Sequence, residues 1–464
     1  MKTVILAGGT GTRLFPLSRS HFPKQFLQYF EGESLFQKTL KRAMLLSAPD
    51  EVTVVTNADH RFLVMDQMKG VGAEECRVLV EPEGKNTLPA VLYGVKDLPG
   101  DETVAVFPSD HLVEVDEAYR KTMDAAESLA EGYLVTFGVP PRSPHTGYGY
   151  IRPGTRVERG YRVDAFVEKP DCKTAEHYLA EGYLWNSGMF LFNTRLFLEE
   201  CRRHIPEALA AFEKPPEEAF RLTPAISVDY GVMERTKRAA VVPLSSAWSD
   251  VGSFDALYTL ARKDQEGNVV HGEHLGIGGR ENFIISDRLV ATIGVSEMAI
   301  VDTKDVLLVC PKAEAQRVGE VVERLRTLGD ARCDSHTTVF RPWGSYTLLE
   351  RGPSFSIKRI TVLPGRRLSL QLHHHRSEHW VVVRGTALVS NNGKQFFVRS
   401  GESTYVPAGV KHRLENPGLI PLEVIEVQNG EHITEDDIVR YDDDFKRESR
   451  PEVRPAVLCT HTIH

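Results

Sequence analysis

The sequence predicts an α/β unit built on a largely parallel sheet, then a small β-rich segment, then an all-β barrel or jelly roll. Three observations carry this prediction. Short β-branched runs alternate with amphipathic stretches at helical spacing through the first half. From about Gln265, glycines interrupt a series of short β-type runs. From Arg341 to Gln428, β-forming residues dominate, with Gly, Pro and Asn between them and no helical period. A chain of 464 residues is too long for one ordinary core, so two or three domains are expected. The expected bounds are 1–264, 265–328, a linker at 329–338, and 339–464.

The alternation can be followed in order. The apolar run Thr3–Leu6 reads as a buried first strand. After a glycine-rich loop come a helix at Glu33–Leu46, a strand at Val52–Thr56 and a helix at His60–Met68. A strand at Cys76–Val80, a helix at Thr87–Leu98 and a strand at Thr103–Phe107 continue the series. A helix at Tyr119–Glu131 and a strand at Tyr133–Gly138 follow, and a further helix is expected at Val228–Lys237. In the second segment, strands are expected at Asn282–Ser286, Leu289–Val295, Met298–Val301 and Val306–Val309, closed by a helix at Glu314–Leu328.

Composition narrows the function. The apolar share of 41% and charged share of 26% are those of a soluble globular protein. A net charge of −8 gives no support for nucleic-acid binding. The six cysteines are scattered without a C-x-x-C pair, which reads as reduced thiols in a cytoplasmic protein. No run approaches the roughly 20 apolar residues of a membrane span.

The chemistry begins in the loop after the first strand, LAGGTGTRLFPLSRSHFPKQFL, at Leu6–Leu27. Gly8, Gly9 and Gly11 allow a tight turn whose backbone N–H groups can approach an anion, and Arg13 and Lys24 add cations. A glycine turn after a first parallel strand is where α/β sheets hold phosphorylated ligands. No P-loop string occurs, and the dinucleotide pattern starting at Gly9 fails because Leu14 stands at its last position. Asp110, after the strand at Thr103–Phe107, suits a hard cation that bridges phosphates, although for a lone Asp an N-cap ahead of the next helix is the commoner role.

This loop resembles the signature of sugar-nucleotide pyrophosphorylases, and its PLSR…PKQFL form resembles that of mannose-1-phosphate guanylyltransferases. The resemblance implies a Rossmann-like nucleotidyltransferase domain in which Arg13 and Lys24 hold the phosphates of GTP. It implies that Asp110 shares Mg²⁺ with Asp250 of the Trp248–Gly252 segment. Lys85, Asn86 and Thr87 resemble the family's guanine- and ribose-binding loop, with Leu88 a departure from the usual residue, and Ser109 joins the nucleotide set. Gly147, Glu168, Lys169 and Asn186 resemble its sugar-1-phosphate pocket, with Asp229 a further pocket candidate. The β-rich segment resembles one that packs beside such catalytic domains and can support subunit contacts.

A second constellation lies at Gln371–Trp380. On a continuous strand Gln371, His373 and His375 share a face, and Glu378 joins them only if Arg376-Ser377 turns or bulges. His412 could complete the set. Imidazoles, a carboxylate and an amide carbonyl suit Zn²⁺ or another divalent metal. The spacings Gly365-x5-Gln371-x-His373-x4-Glu378-x6-Gly385 and Gly401-x5-Pro407-x-Gly409-x2-His412-x3-Asn416 resemble the two cupin motifs, with Gln371 where cupins generally place His. The wider stretch from Arg341 resembles type II phosphomannose isomerases, which are found fused to guanylyltransferases. That resemblance implies interconversion of fructose 6-phosphate and mannose 6-phosphate, with His375 a candidate base and Arg376 a phosphate or enediolate partner. It implies no membrane or nucleic-acid partner, and a homo-oligomer is possible. Two alternatives stay open: a guanylyltransferase whose cupin only binds or assembles, and a pyrophosphorylase for another sugar or nucleotide.

Overall fold

The computed structural model describes residues 1–9, 11–28 and 32–442. Thr10, Cys459 and the end of the expected 339–464 domain lie outside them. The described chain divides into two compact units, at Met1–Ser335 and from His336 onward.

In the first unit nine strands form one sheet: β1 (Lys2–Leu6), β2 (Val52–Asn57), β3 (Arg77–Glu81), β4 (Thr103–Pro108), β5 (Leu134–Val139), β6 (Tyr150–Val157), β7 (Gly160–Val167), β8 (Leu184–Asn193) and β9 (Ala239–Pro243). Their order is β3-β2-β1-β4-β8-β5-β9-β7-β6. β1 to β4 are mutually parallel, and β9 is parallel to β5. β8 runs antiparallel between β4 and β5, and β6 and β7 form an antiparallel pair at the edge. The expectation of a largely parallel sheet therefore needs this correction: apolar periodicity reports which face is buried but not strand direction.

Both faces of the sheet are covered. Along β1, Ile5 packs into the core of one face and Val4 into that of the other, as strand alternation requires. The first helix, Leu35–Ala43, starts where expected because Ser34 and Gln37 close a capping box. The helix expected at Val228–Lys237 is only a five-residue π turn, Asp229–Met233.

The β-rich segment is a short parallel coil. β10 (Val269–His271), β12 (Phe283–Ile285) and β14 (Met298–Asp302) stack in parallel register, and β11 (His274–Ile277) stacks on β13 (Val290–Ile293). β15 (Leu307–Pro311) closes it antiparallel to β14. The start of the expected linker is held in the first unit. Ser20 and His21 N–H groups donate to the Cys333 and Asp334 carbonyls, and buried Arg19 donates to the Arg332 carbonyl while pairing with Asp305 at 2.9 Å.

The second unit is an all-β sandwich of two sheets. One has the order β16 (Thr338–Arg341), β17 (Gly344–Arg351), β18 (Phe355–Val362), β25 (Leu422–Gly430), β20 (Arg376–Arg384), β23 (Ser403–Val406). The other has the order β22 (Lys394–Arg399), β21 (Thr386–Asn391), β24 (His412–Glu415), β19 (Leu370–His373), β26 (Ile438–Asp442). Trp343, Trp380, Val382, Val389, Leu414 and Val424 are among the residues of its core. Among the described residues no helix is long and apolar enough to cross a membrane, and the five described cysteines are free.

Arg19 carries a buried charge whose removal strands Asp305. Arg19→Met should lower stability by about 3 kcal/mol, read as a lower urea midpoint for the first unit. An unchanged midpoint would show that the contact carries no net stability.

Candidate functional sites

The first site forms where the strand order reverses direction, between β1 and β4. Gly11 turns the loop after β1 at φ 47°, a left-handed conformation that suits glycine, and a Cβ there would meet Lys24 Cγ at 2.9 Å. Lys24 is buried, and its ammonium joins two chain segments: it lies 3.0 Å from Asp110 Oδ2 and donates to the Asp250 carbonyl at 2.5 Å. Arg13 stands 3.8 Å from Asp250 Oδ2 and is half exposed. Burial pushes the Asp110 carboxyl up, but Lys24, His111 and Arg13 outweigh it and hold it down at about 2. Asp250 is likewise kept below the ordinary range, because Lys24 and a 2.6 Å hydrogen bond donated by Tyr148 outweigh its burial. Two ionised carboxylates at loop ends, which offer only oxygen as ligand atoms, fit a hard divalent cation.

The structure thus brings Arg13, Lys24, Asp110 and Asp250 together. Gly8 faces Glu81, whose carboxylate oxygen lies 2.6 Å from where a Cβ on Gly8 would sit. The Gly9 carbonyl accepts from Gln25 at 2.7 Å. Ser109 is buried, its N–H donating to the Leu6 carbonyl. Lys85 pairs with Glu83 at 3.3 Å. Asn86 caps the helix Thr87–Val95, and the Thr87 hydroxyl accepts from the Val228 N–H.

The sugar-phosphate candidates also converge. Lys169 pairs with Glu168 at 2.8 Å, and Glu168 Oε2 is buried without a hydrogen-bond partner, free to accept from a hydroxyl. Asn186 donates to Asp229 at 2.9 Å. Burial, then the neighbouring Glu168, push the Asp229 carboxyl up to about 6. Gly147 is the exception, since its N–H is taken by His145 Nδ1 within its own turn. Tyr148 links the two groups: its hydroxyl holds Asp250, its carbonyl accepts from the Lys169 N–H, and its ring meets Trp185. Of the seven non-glycine residues with positive φ among those described, Asn86, Lys169 and Val251 lie in these loops. Such strain concentrates at binding sites.

The second site occupies the interior of the β sandwich. His373, Glu378 and His412 are buried, and their ligand atoms lie within 4.8 Å of one another. His373 Nε2 is 3.0 Å from Glu378 Oε1, and His412 Nε2 is 3.5 Å from Glu378 Oε2. His412 Nδ1 faces the Val410 carbonyl at 2.9 Å, which fixes the tautomer with its Nε2 lone pair toward the cluster. His412 Nε2 and Glu378 Oε2 have no hydrogen-bond partner although buried. Burial favours neutral His412, whereas Glu378 is held far below the carboxylate range because His373, His412 and Arg376 outweigh its burial. Imidazole nitrogens and an ionised carboxylate with unused lone pairs fit a divalent metal.

Gln371 lies directly across from His412 in the ladder, with its amide oxygen accepting from Ser369. His375 does not share the face of His373, contrary to the strand reading. β19 ends at His373, and the Asp437 carboxylate takes the N–H groups of both His374 and His375. The bend exposes the His375 ring, which meets Asp437 at 2.8 Å, and resets parity so that Glu378 points inward. Arg376 lies 3.4 Å from both Glu378 Oε1 and His373 Nε2. Glu426 and Gln428, not anticipated from the sequence, also face inward from β25. Gln428 donates to Glu378 at 2.9 Å, and burial followed by the charge of Glu378 pushes Glu426 up to about 8. The alternation Leu422, Val424, Glu426, Gln428 was the available signal.

Glu81, at the end of β3, was also unanticipated, and burial pushes its carboxyl up to about 7. The folded chain then holds a proton that an unfolded chain releases near pH 4.5, so Glu81 costs stability as pH rises from about 4.5 to 7. The melting-temperature advantage of Glu81→Gln over the native chain should be larger at about pH 8 than at about pH 5. Equal differences at both would mean an ordinary carboxyl.

Comparison with known proteins covers the same regions. Residues 2–267 match the family described as Nucleotidyl transferase, 272–325 the MannoseP isomerase/GMP-like beta-helix domain, and 329–443 the Mannose-6-phosphate isomerase C-terminal family. The xanthan biosynthesis protein XanB of Xanthomonas campestris pv. campestris (strain B100) is 42% identical over 96% of this chain and 98% of its own. A mannose-1-phosphate guanylyltransferase of Klebsiella pneumoniae is 42% identical over 96% of this chain and 99% of its own. A crystal structure described as mannose-1-phosphate geranyltransferase from Thermus thermophilus matches with TM-score 0.65 and 39% identity, covering 70% of this chain and 99% of that one.

Proposed function

The chain belongs to the nucleotidyl transferase family, in the form that carries a mannose-6-phosphate isomerase domain behind it, and from this we propose how its two sites divide the work. It transfers GMP from GTP to mannose 1-phosphate, giving GDP-mannose and pyrophosphate, and interconverts fructose 6-phosphate and mannose 6-phosphate. The relative named as a mannose-1-phosphate guanylyltransferase, aligned along nearly its whole length, carries this reading.

In the first reaction a mannose 1-phosphate oxygen attacks the α-phosphorus of GTP, and pyrophosphate leaves in line. Residues 1–264 are assigned to it. The glycine loop of Gly8, Gly9 and Gly11 takes the triphosphate, with Arg13 and Lys24 neutralising the charge that builds on it. Mg²⁺ on Asp110 and Asp250 would supply further charge neutralisation. Lys85, Asn86, Thr87 and Ser109 hold the nucleoside side. Glu168, Lys169 and Asn186, with the chain at Gly147, orient the sugar phosphate. Arg13 is half exposed and leaves little behind when removed.

Residues 339–464 are assigned to the second reaction. A proton moves between C1 and C2 through an enediol. Zn²⁺ or another divalent metal on His373, Glu378 and His412, with Gln371 as a fourth donor, would polarise the substrate oxygens. Arg376 places a fixed positive charge beside the developing oxyanion. The outward turn of His375 leaves the base to another group of the sandwich interior. Mannose 6-phosphate must be converted to the 1-phosphate elsewhere, so a separate mutase is implied. The reading keeps the enzyme in the cytoplasm. It also allows self-association, for which the exposed ridge of Leu275, Ile277 and Ile293 is a candidate surface.

Two outcomes test it. Arg13→Ala should lower guanylyltransfer by about 100- to 1,000-fold with an unchanged circular-dichroism spectrum; undiminished turnover would remove Arg13 from the site. Exhaustive chelation should abolish isomerisation and a returned divalent metal should restore it, followed by coupled assay and metal analysis. Full isomerase activity without metal would rule this mechanism out.

A further inference from the structure

Beside the His373–Glu378–His412 trio lies a cavity of about 260 Å³. Arg376 and Gln428 line it, and both hydrogen-bond Glu378. Arg351 and Lys358 line it from β17 and β18. The strand register sets the span. Ser356 pairs with Gln428, and Gln428 pairs with Glu378, so β18 stands two strands away from β20. At about 4.8 Å per strand this separates the two backbones by roughly 10 Å. Long Lys and Arg side chains shorten that gap to the scale of an extended hexose phosphate.

The charges on the far wall are only partly spent. Glu435 also lines the cavity, but Arg440 holds its carboxylate at 3.1 Å. Lys358 Nζ lies 5.2 Å from the centre of the Tyr346 ring, and its nearest carboxylate, Glu426, is 3.9 Å away. Arg351 donates to the Ile433 carbonyl at 3.1 Å, and among the described residues no carboxylate lies within ion-pair distance of it. A guanidinium and an ammonium facing one polar cavity with so little compensation suit a phosphate dianion.

We propose that Arg351 and Lys358 form the phosphate grip of this cavity, holding the 6-phosphate of the hexose while its C1–C2 end lies at the trio. Arg376 then sits between the two ends, beside the reacting carbons and not on the phosphate. The grip selects a phosphorylated sugar over a free one by charge, and the distance between grip and trio selects a phosphate at the far end of the chain. The proposal rests on the isomerase reading for the identity of the sugar, but the anion site can be tested apart from turnover.

The test uses full-length native protein with Arg351→Ala and Lys358→Ala. Isomerase kinetics are measured with metal present. Fructose 6-phosphate, fructose and inorganic phosphate are titrated calorimetrically into metal-stripped protein. Each variant should raise KM for fructose 6-phosphate about 10- to 100-fold with a smaller change in kcat, and weaken its calorimetric binding by a similar factor. Fructose should not bind measurably, and each variant should keep the native circular-dichroism spectrum and take metal back as the native protein does, which reports an intact second unit. If native protein binds fructose 6-phosphate through Arg351 and Lys358 but never isomerises it, the grip stands and the isomerase reading falls. If native protein isomerises while both variants keep native KM and affinity, the grip is overturned and the isomerase reading stands.

Discussion

A lysine taken out of water has to be compensated, and much of the first site follows from how Lys24 is compensated. Its ammonium is met by the Asp110 carboxylate after β4 and by the Asp250 carbonyl. Those two segments are far apart in sequence, so one side chain sets the spacing of both carboxylates. The same lysine explains the loop before it. Gly11 lacks a side chain where Lys24 passes, and the backbone turns left-handed to let it through. The site is organised by one buried cation as much as by the glycines around it.

The second centre depends on a different constraint, the parity of a strand. Had β19 run on through His375, Glu378 would have faced away from His373. Asp437 prevents this by accepting from two successive N–H groups and forcing a bend between β19 and β20. A carboxylate that contributes no ligand therefore decides which residues become ligands. Gln428 and Arg376, both bonded to Glu378, add orientation from a second direction.

Much of this was legible in the sequence. The alternation of strands and helices and the all-β texture of the C-terminal third were visible because burial leaves a periodic trace. So were the strand-end position of Asp110 and the cupin spacings around His373, Glu378 and His412. The antiparallel course of β8 was not, since Leu184–Asn193 carries the same apolar run whichever way it points. The parallel coil of the middle segment was read only as short strands, because its turns differ in length and mask the repeat of Val269, Phe283 and Ala299. His375 was misplaced because Asp437, which turns it outward, lies in a distant strand–loop boundary. Glu81 and Glu426 were passed over because a buried carboxyl is recognisable only once its neighbours are known.

The two donor sets differ in kind, and nutrition follows from that difference. Asp110 and Asp250 offer oxygen to a hard ion that cells hold in abundance, whereas His373 and His412 offer nitrogen to scarcer borderline metals. On the proposed assignment of a borderline metal to the trio, a cell short of trace metal would lose entry from fructose 6-phosphate before it lost the ability to activate mannose 1-phosphate. Supplied with free mannose and the means to phosphorylate it, such a cell would keep making GDP-mannose through the first unit. One polypeptide thus answers to two different scarcities, one of trace metal and one of hexose.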